Sequence, residues 1–214
     1  MLTVQPFTFN PLQENTYVVY NEKKDCCIID PGCYFTAEES ALSLFIEQNH
    51  LKPLFLLNTH CHLDHIFGNA FVHKTFGLVL HLHALEEQVL AFGALSGEKW
   101  NLPFEQYEGP LSFINEHSQI TLGNEILTVL FTPGHSPGSV SFYSSANNFI
   151  ISGDALFQGS IGRTDLPGGS FEVLAQSIRE RLYTLPDQTV VHSGHGRATT
   201  IGEEKKHNPY VRSL

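Results

Sequence analysis

The sequence predicts an α/β fold in which strands and helices are mixed along the whole chain. Apolar segments typical of strands are interleaved with segments whose apolar residues recur every three or four positions, as in amphipathic helices. Apolar residues make up 42% and charged residues 16% of the 214 residues, a composition that can bury a sizeable core. No repeat, low-complexity stretch or linker-like segment interrupts the chain, so we expect one domain over residues 1–214.

Local signals place the elements in order. A helix is predicted at 37–49, because Thr36 and Glu39 have the spacing of a capping box and Leu42 begins an apolar stripe. The segment 93–118 has no clear period and several Gly and Pro residues, which predicts a long irregular connection of the kind that shapes a cleft. Strands are predicted at 3–9, 16–20, 26–30, 54–58, 78–82, 125–131, 139–143, 148–152 and 189–192, and further helices near 66–76, 84–92, 171–183 and at the C-terminal end.

Composition argues against several classes of partner. The net charge is −10, and no basic cluster exceeds Lys205-Lys206, so a nucleic-acid partner is not expected. No apolar run approaches the ~18 residues of a membrane helix, and residues 1–15 lack the pattern of a secretion signal. The four cysteines lack CxxC pairs and are expected to pack in the core. We therefore expect a cytoplasmic protein without a membrane partner.

Twelve histidines are the unusual feature of the composition, and several are clustered. The segment 58–65 reads Asn-Thr-His-Cys-His-Leu-Asp-His and directly follows a predicted buried strand. A loop at the end of a strand can aim several side chains at one point, whereas a strand would send alternate side chains to opposite faces. Imidazoles with a carboxylate suit zinc, iron or manganese. We therefore expect His60, His62, Asp64 and His65 to be metal ligands.

Three later residues share this position after a predicted strand and beside glycine: His135, Asp154 and His195. In open α/β sheets, ligands bind at the carboxyl ends of strands, so these residues are candidates for the same site. With the four residues of the first motif they make seven ligands, too many for one metal. The set predicts two divalent metal ions that share a bridging carboxylate.

These motifs resemble those of the metallo-β-lactamase superfamily over nearly the whole chain. The similarity rests on His-x-His-x-Asp-His at 60–65, Asp30-Pro31-Gly32, the Thr-Pro-Gly-His block at 132–135 and the block that starts at Gly153-Asp154. The segment 159–165 and Gly194-His195-Gly196 are similar to the short glyoxalase II-like hydrolases within it. The resemblance implies an αββα sandwich of two facing mixed sheets with helices outside, formed by a single domain over residues 1–214.

The resemblance also implies a role for each ligand. His60, His62 and His135 would hold one metal, Asp64, His65 and His195 the other, and Asp154 would bridge them. Zinc is the first choice of metal, with iron or manganese as alternatives. Asp30 would orient a ligand imidazole through its other nitrogen, or else serve only the turn that contains it.

The function implied is metal-dependent hydrolysis of a small-molecule thioester of the S-2-hydroxyacylglutathione type, through a hydroxide that bridges the metals and is oriented by Asp64. A thiolate can leave without a strong acid, because its parent thiol has a pKa of about 8.5. The acyl group, the thiol carrier and the oligomeric state stay open.

Two other functions remain as alternatives. The stretch 162–165 also resembles glutathione persulfide dioxygenases, in which residues matching His60, His135 and Asp154 hold a single iron. A catalytically silent metal-binding module is the third hypothesis. His62 stands where oxygen-reducing di-iron members of the superfamily have Glu, which argues against that activity.

Arg163 is the candidate for substrate binding. It follows Asp154 by nine residues, in a glycine-containing loop that the resemblance places beside the cleft. A planar guanidinium suits a substrate carboxylate, but a salt bridge to Asp165 that holds the loop explains the residue equally well.

Overall fold

The computed structural model describes residues 1–212 and contains two six-stranded sheets, each of which mixes parallel and antiparallel pairs. The first sheet has the order β1-β2-β3-β4-β5-β6, and the second has the order β14-β13-β10-β9-β8-β7. A short hairpin, β11-β12, stands apart from both. The strands are β1 Leu2–Phe9, β2 Glu14–Asn21, β3 Asp25–Ile29, β4 Lys52–Leu57, β5 Leu80–His83, β6 Leu111–Ile114, β7 Gln119–Leu122, β8 Glu125–Phe131, β9 Val140–Ser144, β10 Phe149–Gly153, β11 Leu156–Phe157, β12 Ser160–Ile161, β13 Val190–Ser193 and β14 Thr199–Thr200.

Within residues 1–212, six α-helices lie between strands and a seventh follows the last strand, and two irregular helical turns extend this set. A 3₁₀ turn at Ala84–Glu86 precedes α4, and a π-helical turn at Ile178–Leu182 continues α6. None of the helices among residues 1–212 combines the length and the apolar character that a membrane crossing requires. The helices are α1 Thr36–Gln48, α2 Leu63–Ile66, α3 Asn69–Phe76, α4 Glu87–Ala91, α5 Gly93–Lys99, α6 Phe171–Ser177 and α7 Ile201–His207.

The central strands are apolar on both faces because both faces are covered. On β3, Ile28 packs toward the helices outside the first sheet, whereas its neighbour Ile29 packs into the space between the sheets. Leu56 and Leu57 divide in the same way on β4. Alternate residues of a strand point to opposite faces, so a continuous apolar run is required where both faces are buried.

Helices cover the outer face of each sheet. Leu42 of α1 packs on the first sheet, and Leu174 of α6 packs against Ile150 of the second sheet. The layers therefore follow the order helix, sheet, sheet, helix, which confirms the αββα sandwich that the motifs implied.

The segment 93–118 is irregular over residues 100–110, as its glycines and prolines suggested, but not over its whole length. It contains α5 and β6. Gly97 lies inside α5 and is buried, and a Cβ added there would lie 2.7 Å from the carbonyl oxygen of Leu102. The glycine serves close packing of the helix on the following chain.

The start of α1 also differs from the expected capping box. The N-cap is Phe35 rather than Thr36, and the acidic partner is Glu38 rather than Glu39. Oε2 of Glu38 accepts hydrogen bonds from the backbone N–H groups of Tyr34 (2.8 Å) and Phe35 (3.1 Å). Glu38 therefore fixes the two residues that enter the helix, while the Phe35 carbonyl accepts hydrogen bonds from the N–H groups of Glu38 (2.8 Å) and Glu39 (3.1 Å).

The two sheets are fastened together at the edge where β2 meets β13. The Tyr17 hydroxyl donates to the carbonyl of Ser193 (2.7 Å), and the backbone N–H of Asn15 donates to the carbonyl of Gly194 (2.7 Å). One of the predicted ligand loops lies at this edge, and joining the sheets here brings the other ligand loops close to it.

Candidate metal centre

Four loops at one edge of the sandwich carry the predicted ligands. His60 to His65 follow β4 of the first sheet, and His135, Asp154 and His195 follow β8, β10 and β13 of the second. The strand β13 runs parallel to β10, and β9 is antiparallel to both β8 and β10, so the last three strands end at the same side. The topology therefore brings all seven residues together, although 135 positions separate the first from the last (195 − 60).

His60, His62 and His135 form one group of converging nitrogens. Nε2 of His135 lies 3.1 Å from Nε2 of His60 and 2.8 Å from Nδ1 of His62. Ligands about 2.0–2.1 Å from a tetrahedral zinc ion lie about 3.3 Å from one another. The three nitrogens therefore have the spacing of ligands around one ion.

Asp64, His65 and His195 form a second group. Oδ2 of Asp64 lies 3.1 Å from Nε2 of His195 and 3.8 Å from Nε2 of His65. These distances bracket the same ligand spacing, so this group can also hold an ion.

Asp154 lies between the two groups. Its Oδ2 is 3.5 Å from Nε2 of His135 in the first group and 3.6 Å from Nε2 of His195 in the second. Its Oδ1 is 3.4 Å from Nε2 of His65. One carboxylate therefore faces nitrogens of both groups, which is the geometry of a bridging ligand.

Hydrogen bonds on the outer nitrogens orient four of the five rings. Nδ1 of His65 faces Oδ2 of Asp30 at 3.1 Å, as the sequence analysis expected. Because each outer partner accepts a proton from Nδ1, the lone pair of each Nε2 is left to face the centre. The remaining outer contacts are His60 with the Thr59 hydroxyl (3.1 Å), His135 with the Arg163 carbonyl (2.7 Å) and His195 with the Gln13 carbonyl (3.2 Å).

The two groups differ in their electrostatics. Burial lowers the pKa of His60, His135 and His62, in the last case to about 3, so these imidazoles are neutral. Burial also acts to lower the pKa of His65, but the Asp154 and Asp64 charges raise it well above the ordinary value. A metal ion binds the neutral form of imidazole, and the histidines of the first group are already in that form.

The carboxylates are held in their ionised form. Burial acts to raise the pKa values of Asp64 and Asp154, but the neighbouring His65 outweighs it and both pKa values are lowered. Nε2 of His65 and Oδ1 of Asp154 are buried and have no hydrogen-bond partner among the described residues. Leaving buried polar atoms without partners is costly, and two divalent cations would satisfy both atoms.

Sequence reasoning missed Glu86, a buried carboxylate beside the ligand loops. Its Oε2 accepts a hydrogen bond from the backbone N–H of Cys61 (2.7 Å), and its Oε1 accepts from the hydroxyl of Ser136 (2.6 Å) and the N–H of Gly138 (2.7 Å). Glu86 therefore holds the two ligand loops together. No signal in the sequence distinguishes it from the exposed Glu87 next to it.

Arg163 lines the cavity above the centre, but its guanidinium is turned to Asp165. Nε and Nη2 donate to the two carboxylate oxygens at 2.7 Å each. The contact is the salt bridge that the sequence analysis set beside substrate binding. Substrate binding by Arg163 stays a prediction.

The remaining candidates lie outside the centre. Cys61 packs in the core between the first sheet and its helices, as expected from its position in the motif. His83 stacks on Phe131, and Nδ1 of His81 contacts the carbonyl of Val79 at 3.0 Å. Neither histidine of this second His-x-His pair belongs to a ligand group.

The fold and this cluster define a metallohydrolase of the αββα class, and the chain belongs to the metallo-β-lactamase superfamily. The family model, described as "Metallo-beta-lactamase superfamily", matches residues 9–195. Members of this superfamily bind divalent metals and are generally enzymes.

Two relatives match the chain over nearly its full length. A probable metallo-hydrolase of Bacillus subtilis (strain 168), YqgX, is 41% identical over 95% of each chain. The hydroxyacylglutathione hydrolase GloC of Haemophilus influenzae is 34% identical over 99% of each chain.

Two solved structures are similar in sequence as well as in fold. The BLEG-1 B3 metallo-β-lactamase superposes with a TM-score of 0.89 at 39% identity, covering 98% of this chain and 99% of that one. TTHA1623 in a di-iron-bound form superposes with a TM-score of 0.88 at 38% identity, covering 97% and 100%.

Proposed function

We propose that the protein is a binuclear metal-dependent hydrolase that cleaves thioesters of the S-2-hydroxyacylglutathione type. One observation carries the proposal: two groups of three ligands stand on either side of Asp154, whose Oδ2 lies 3.5 Å from one group and 3.6 Å from the other. Asp64, His65 and His195 converge as closely as the ligands of the first group, which favours two ions over one.

The relatives support both parts of the proposal. GloC is named a hydroxyacylglutathione hydrolase, and TTHA1623 is described in a di-iron-bound form. Zinc is our first choice for this chain because three neutral imidazoles suit it, with iron or manganese as alternatives.

A pair of divalent ions supplies, when bound, hydroxide near neutral pH and stabilisation of charge on the attacked carbonyl oxygen. The ions would be held by His60, His62 and His135 on one side, by Asp64, His65 and His195 on the other, and by Asp154 between them. The chain's own contribution is to fix these donors before the substrate arrives.

Asp64 is the carboxylate best placed to assist the reaction. Its side chain is 12% exposed at the cavity floor, and its Oδ2 lies 3.1 Å from Nε2 of His195. Because its pKa is lowered, Asp64 is ionised, so its carboxylate can accept a hydrogen bond from the attacking water and orient it.

The leaving group fits the charges of the cavity. Outside the centre, the charged side chains among its lining residues are Lys99 and Arg163, both basic. A thiolate needs no strong acid in order to leave, unlike the amine of an amide. This set of residues therefore favours a thioester over an amide substrate.

The test is metal content together with hydrolysis on the same purified protein. We expect about two equivalents of metal per chain and hydrolysis of S-lactoylglutathione that stops on chelation and returns with metal. The variant His135→Ala should lose metal and activity, whereas His117→Ala, at a histidine whose side chain is 80% exposed, should behave like wild type.

Three outcomes would overturn the proposal. One equivalent of iron with oxygen consumption on glutathione persulfide would establish the dioxygenase. Hydrolysis of a β-lactam such as nitrocefin, with no thioester turnover, would establish a lactamase. Full metal loading with no turnover of any of these substrates would establish a silent metal-binding module.

A further inference from the structure

A cavity of about 890 Å³ opens directly above the candidate metal centre, and His62, Asp64 and Asp154 lie in its floor. Sites for small molecules have volumes of about 300–1,000 Å³, so this cavity is near the upper end of that range. A two- or three-carbon acyl group would leave most of it unfilled. The rest of the cavity therefore requires an explanation.

One wall of the cavity is strongly apolar although it faces solvent. Four of its large side chains lie between the 3₁₀ turn and the residue that directly follows α5, and each is more than half exposed: Leu85 (53%), Phe92 (61%), Leu95 (62%) and Trp100 (51%). The cavity is also lined by Leu12, Phe157, Leu166 and Pro167. Contiguous exposed apolar surface of this kind marks binding sites.

The fold does not need this apolar wall. The same helices bury a different face, on which Leu90 joins the core and Gly93 lies so close that an added Cβ would be 2.8 Å from Cδ1 of Ile66. These four side chains therefore keep more than half of their surface outside the packing of α4 and α5 on the first sheet. Because these apolar side chains lie beside the candidate metal centre, they are well placed to bind a ligand.

A thioester has two parts, the acyl chain and the thiol carrier, and the apolar wall suits one of them better than the other. The thiol carriers glutathione and coenzyme A are polar and charged, whereas the wall offers few polar groups, among them Gln88, Ser96 and Lys99. A hydrocarbon arm matches such a surface, because removing apolar area from water drives binding.

We propose that this wall binds the acyl arm of the substrate, and that the substrates are thioesters with apolar acyl chains longer than lactoyl. The inference rests on the proposed thioester hydrolysis. The preference for acyl-chain length then depends on contacts with the wall formed by Leu85, Phe92, Leu95 and Trp100.

The kinetic test uses S-acetyl, S-butanoyl, S-hexanoyl and S-octanoyl N-acetylcysteamine, in which only the acyl chain grows. A fully buried methylene contributes about fourfold in affinity. We expect kcat/KM to rise about twofold to fourfold per added methylene. Leu95→Gln should flatten this dependence, whereas Leu44→Gln, at a leucine of α1 that is 50% exposed and outside the cavity, should retain it.

A binding measurement keeps the inference separate from catalysis. Trp100 is the only tryptophan in the sequence and lies in the wall, so its fluorescence reports directly on this surface. The non-hydrolysable thioether S-octyl-N-acetylcysteamine should shift the emission to shorter wavelength, whereas S-ethyl-N-acetylcysteamine should not. The affinity for the octyl probe should fall at least fivefold in Leu95→Gln and stay unchanged in Leu44→Gln.

The outcomes separate the two proposals. Octyl binding at Trp100 without thioester turnover would support the apolar site and contradict the proposed hydrolysis. Thioester turnover with no dependence on acyl length and no change at Trp100 would contradict the inference. Association of the protein into a dimer that Leu95→Gln dissociates, with no response to the octyl probe, would also overturn it and make the wall an interface between two copies.

Discussion

The hydroxyl of Ser136 donates a hydrogen bond of 2.6 Å to Oε1 of Glu86, across 50 positions of sequence. Ser136 follows the ligand His135 directly. The other oxygen of the same carboxylate holds the backbone of Cys61, between the ligands His60 and His62. A single buried side chain therefore sets the distance between the loops that supply the first group of ligands.

Replacing Glu86 with Gln should weaken these hydrogen bonds while leaving the size and shape of the side chain nearly unchanged. Burial raises the pKa of Glu86, and among residues 1–212 its oxygens accept hydrogen bonds from three donors and face no acceptor. The amide N–H₂ of Gln must therefore face a donor. We expect unfolding to cost about 2 kcal/mol less and metal at the first group to bind about tenfold more weakly.

The control is Glu87→Gln, the same change at the exposed neighbouring residue. Urea unfolding of metal-free protein gives the stability, and competition with a chelator gives the affinity. Equal behaviour of the two variants would show that Glu86 does not position the loops.

Asp30→Asn should act on the second group of ligands. Asp30 has a left-handed backbone with φ of 49°, which Asn tolerates, so the turn should survive. The new amide N–H₂ would face Nδ1 of His65 and favour the tautomer whose proton lies on Nε2, inside the centre. We expect a 10- to 100-fold loss of metal affinity at the second group, because orienting partners of ligands have effects of this size.

This effect is measured as the number of metal ions bound per chain at a low, buffered concentration of free metal. The variant should retain about one equivalent where the wild type binds two, and Asp187→Asn at an exposed aspartate serves as the control. Two tightly bound equivalents in Asp30→Asn would leave Asp30 as a turn residue only.

The sequence predicted the site better than it predicted the local details of the fold. His60, His62, Asp64 and His65 share one loop, and glycines mark the three distant strand ends, so residue types alone pointed to one cluster. Glu86 could not be found in this way, because its role depends on which backbone amides the fold brings to it. No local signal carries that information.

Dependence on tertiary contacts, which leave no local signal in the sequence, also explains the predictions that were wrong. The segment 93–118 was predicted to be irregular from its Gly and Pro residues, but Gly97 lies in α5 against the Leu102 carbonyl, which is a tertiary contact. The predicted helix at 171–183 lies in the right place, yet its regular α-helical part ends at Ser177 and a π-helical turn follows. Burial of Leu174, Ile178 and Leu182 was evident from their spacing, whereas the change of hydrogen bonding was not.

A pair of variants can separate the two roles considered for Arg163. The Arg163–Asp165 ion pair is exposed, so it contributes little to stability and Arg163→Ala should unfold nearly like wild type. If the guanidinium recognises a substrate carboxylate, this variant should raise KM for S-lactoylglutathione about tenfold at unchanged kcat.

The companion variant Asp165→Asn releases the guanidinium from its partner. Under substrate recognition, its KM should stay at or below the wild-type value. Under a purely structural role, both variants break the same ion pair, so both should change the kinetics alike. Steady-state kinetics of the two variants, measured side by side, decides between these roles.

His192 should make the fold sensitive to acid. It lies on β13 against the rings of Tyr17 and Phe149, and burial lowers its pKa from 6.5 to about 4. Between these values the unfolded chain binds a proton that the folded chain does not, so stability is lost as the pH falls. The loss from this residue between pH 7 and pH 5 should be about 2 kcal/mol.

The variant His192→Gln removes the titrating ring, so its free energy of unfolding should fall by about 2 kcal/mol less than that of wild type over the same pH interval. Urea unfolding at pH 7 and pH 5 on metal-free protein measures this difference, and the contributions of the other histidines cancel in the comparison. His117→Gln, at an exposed histidine, should keep the wild-type pH dependence. An unchanged dependence in His192→Gln would mean that the ring is already protonated in the folded state near pH 6.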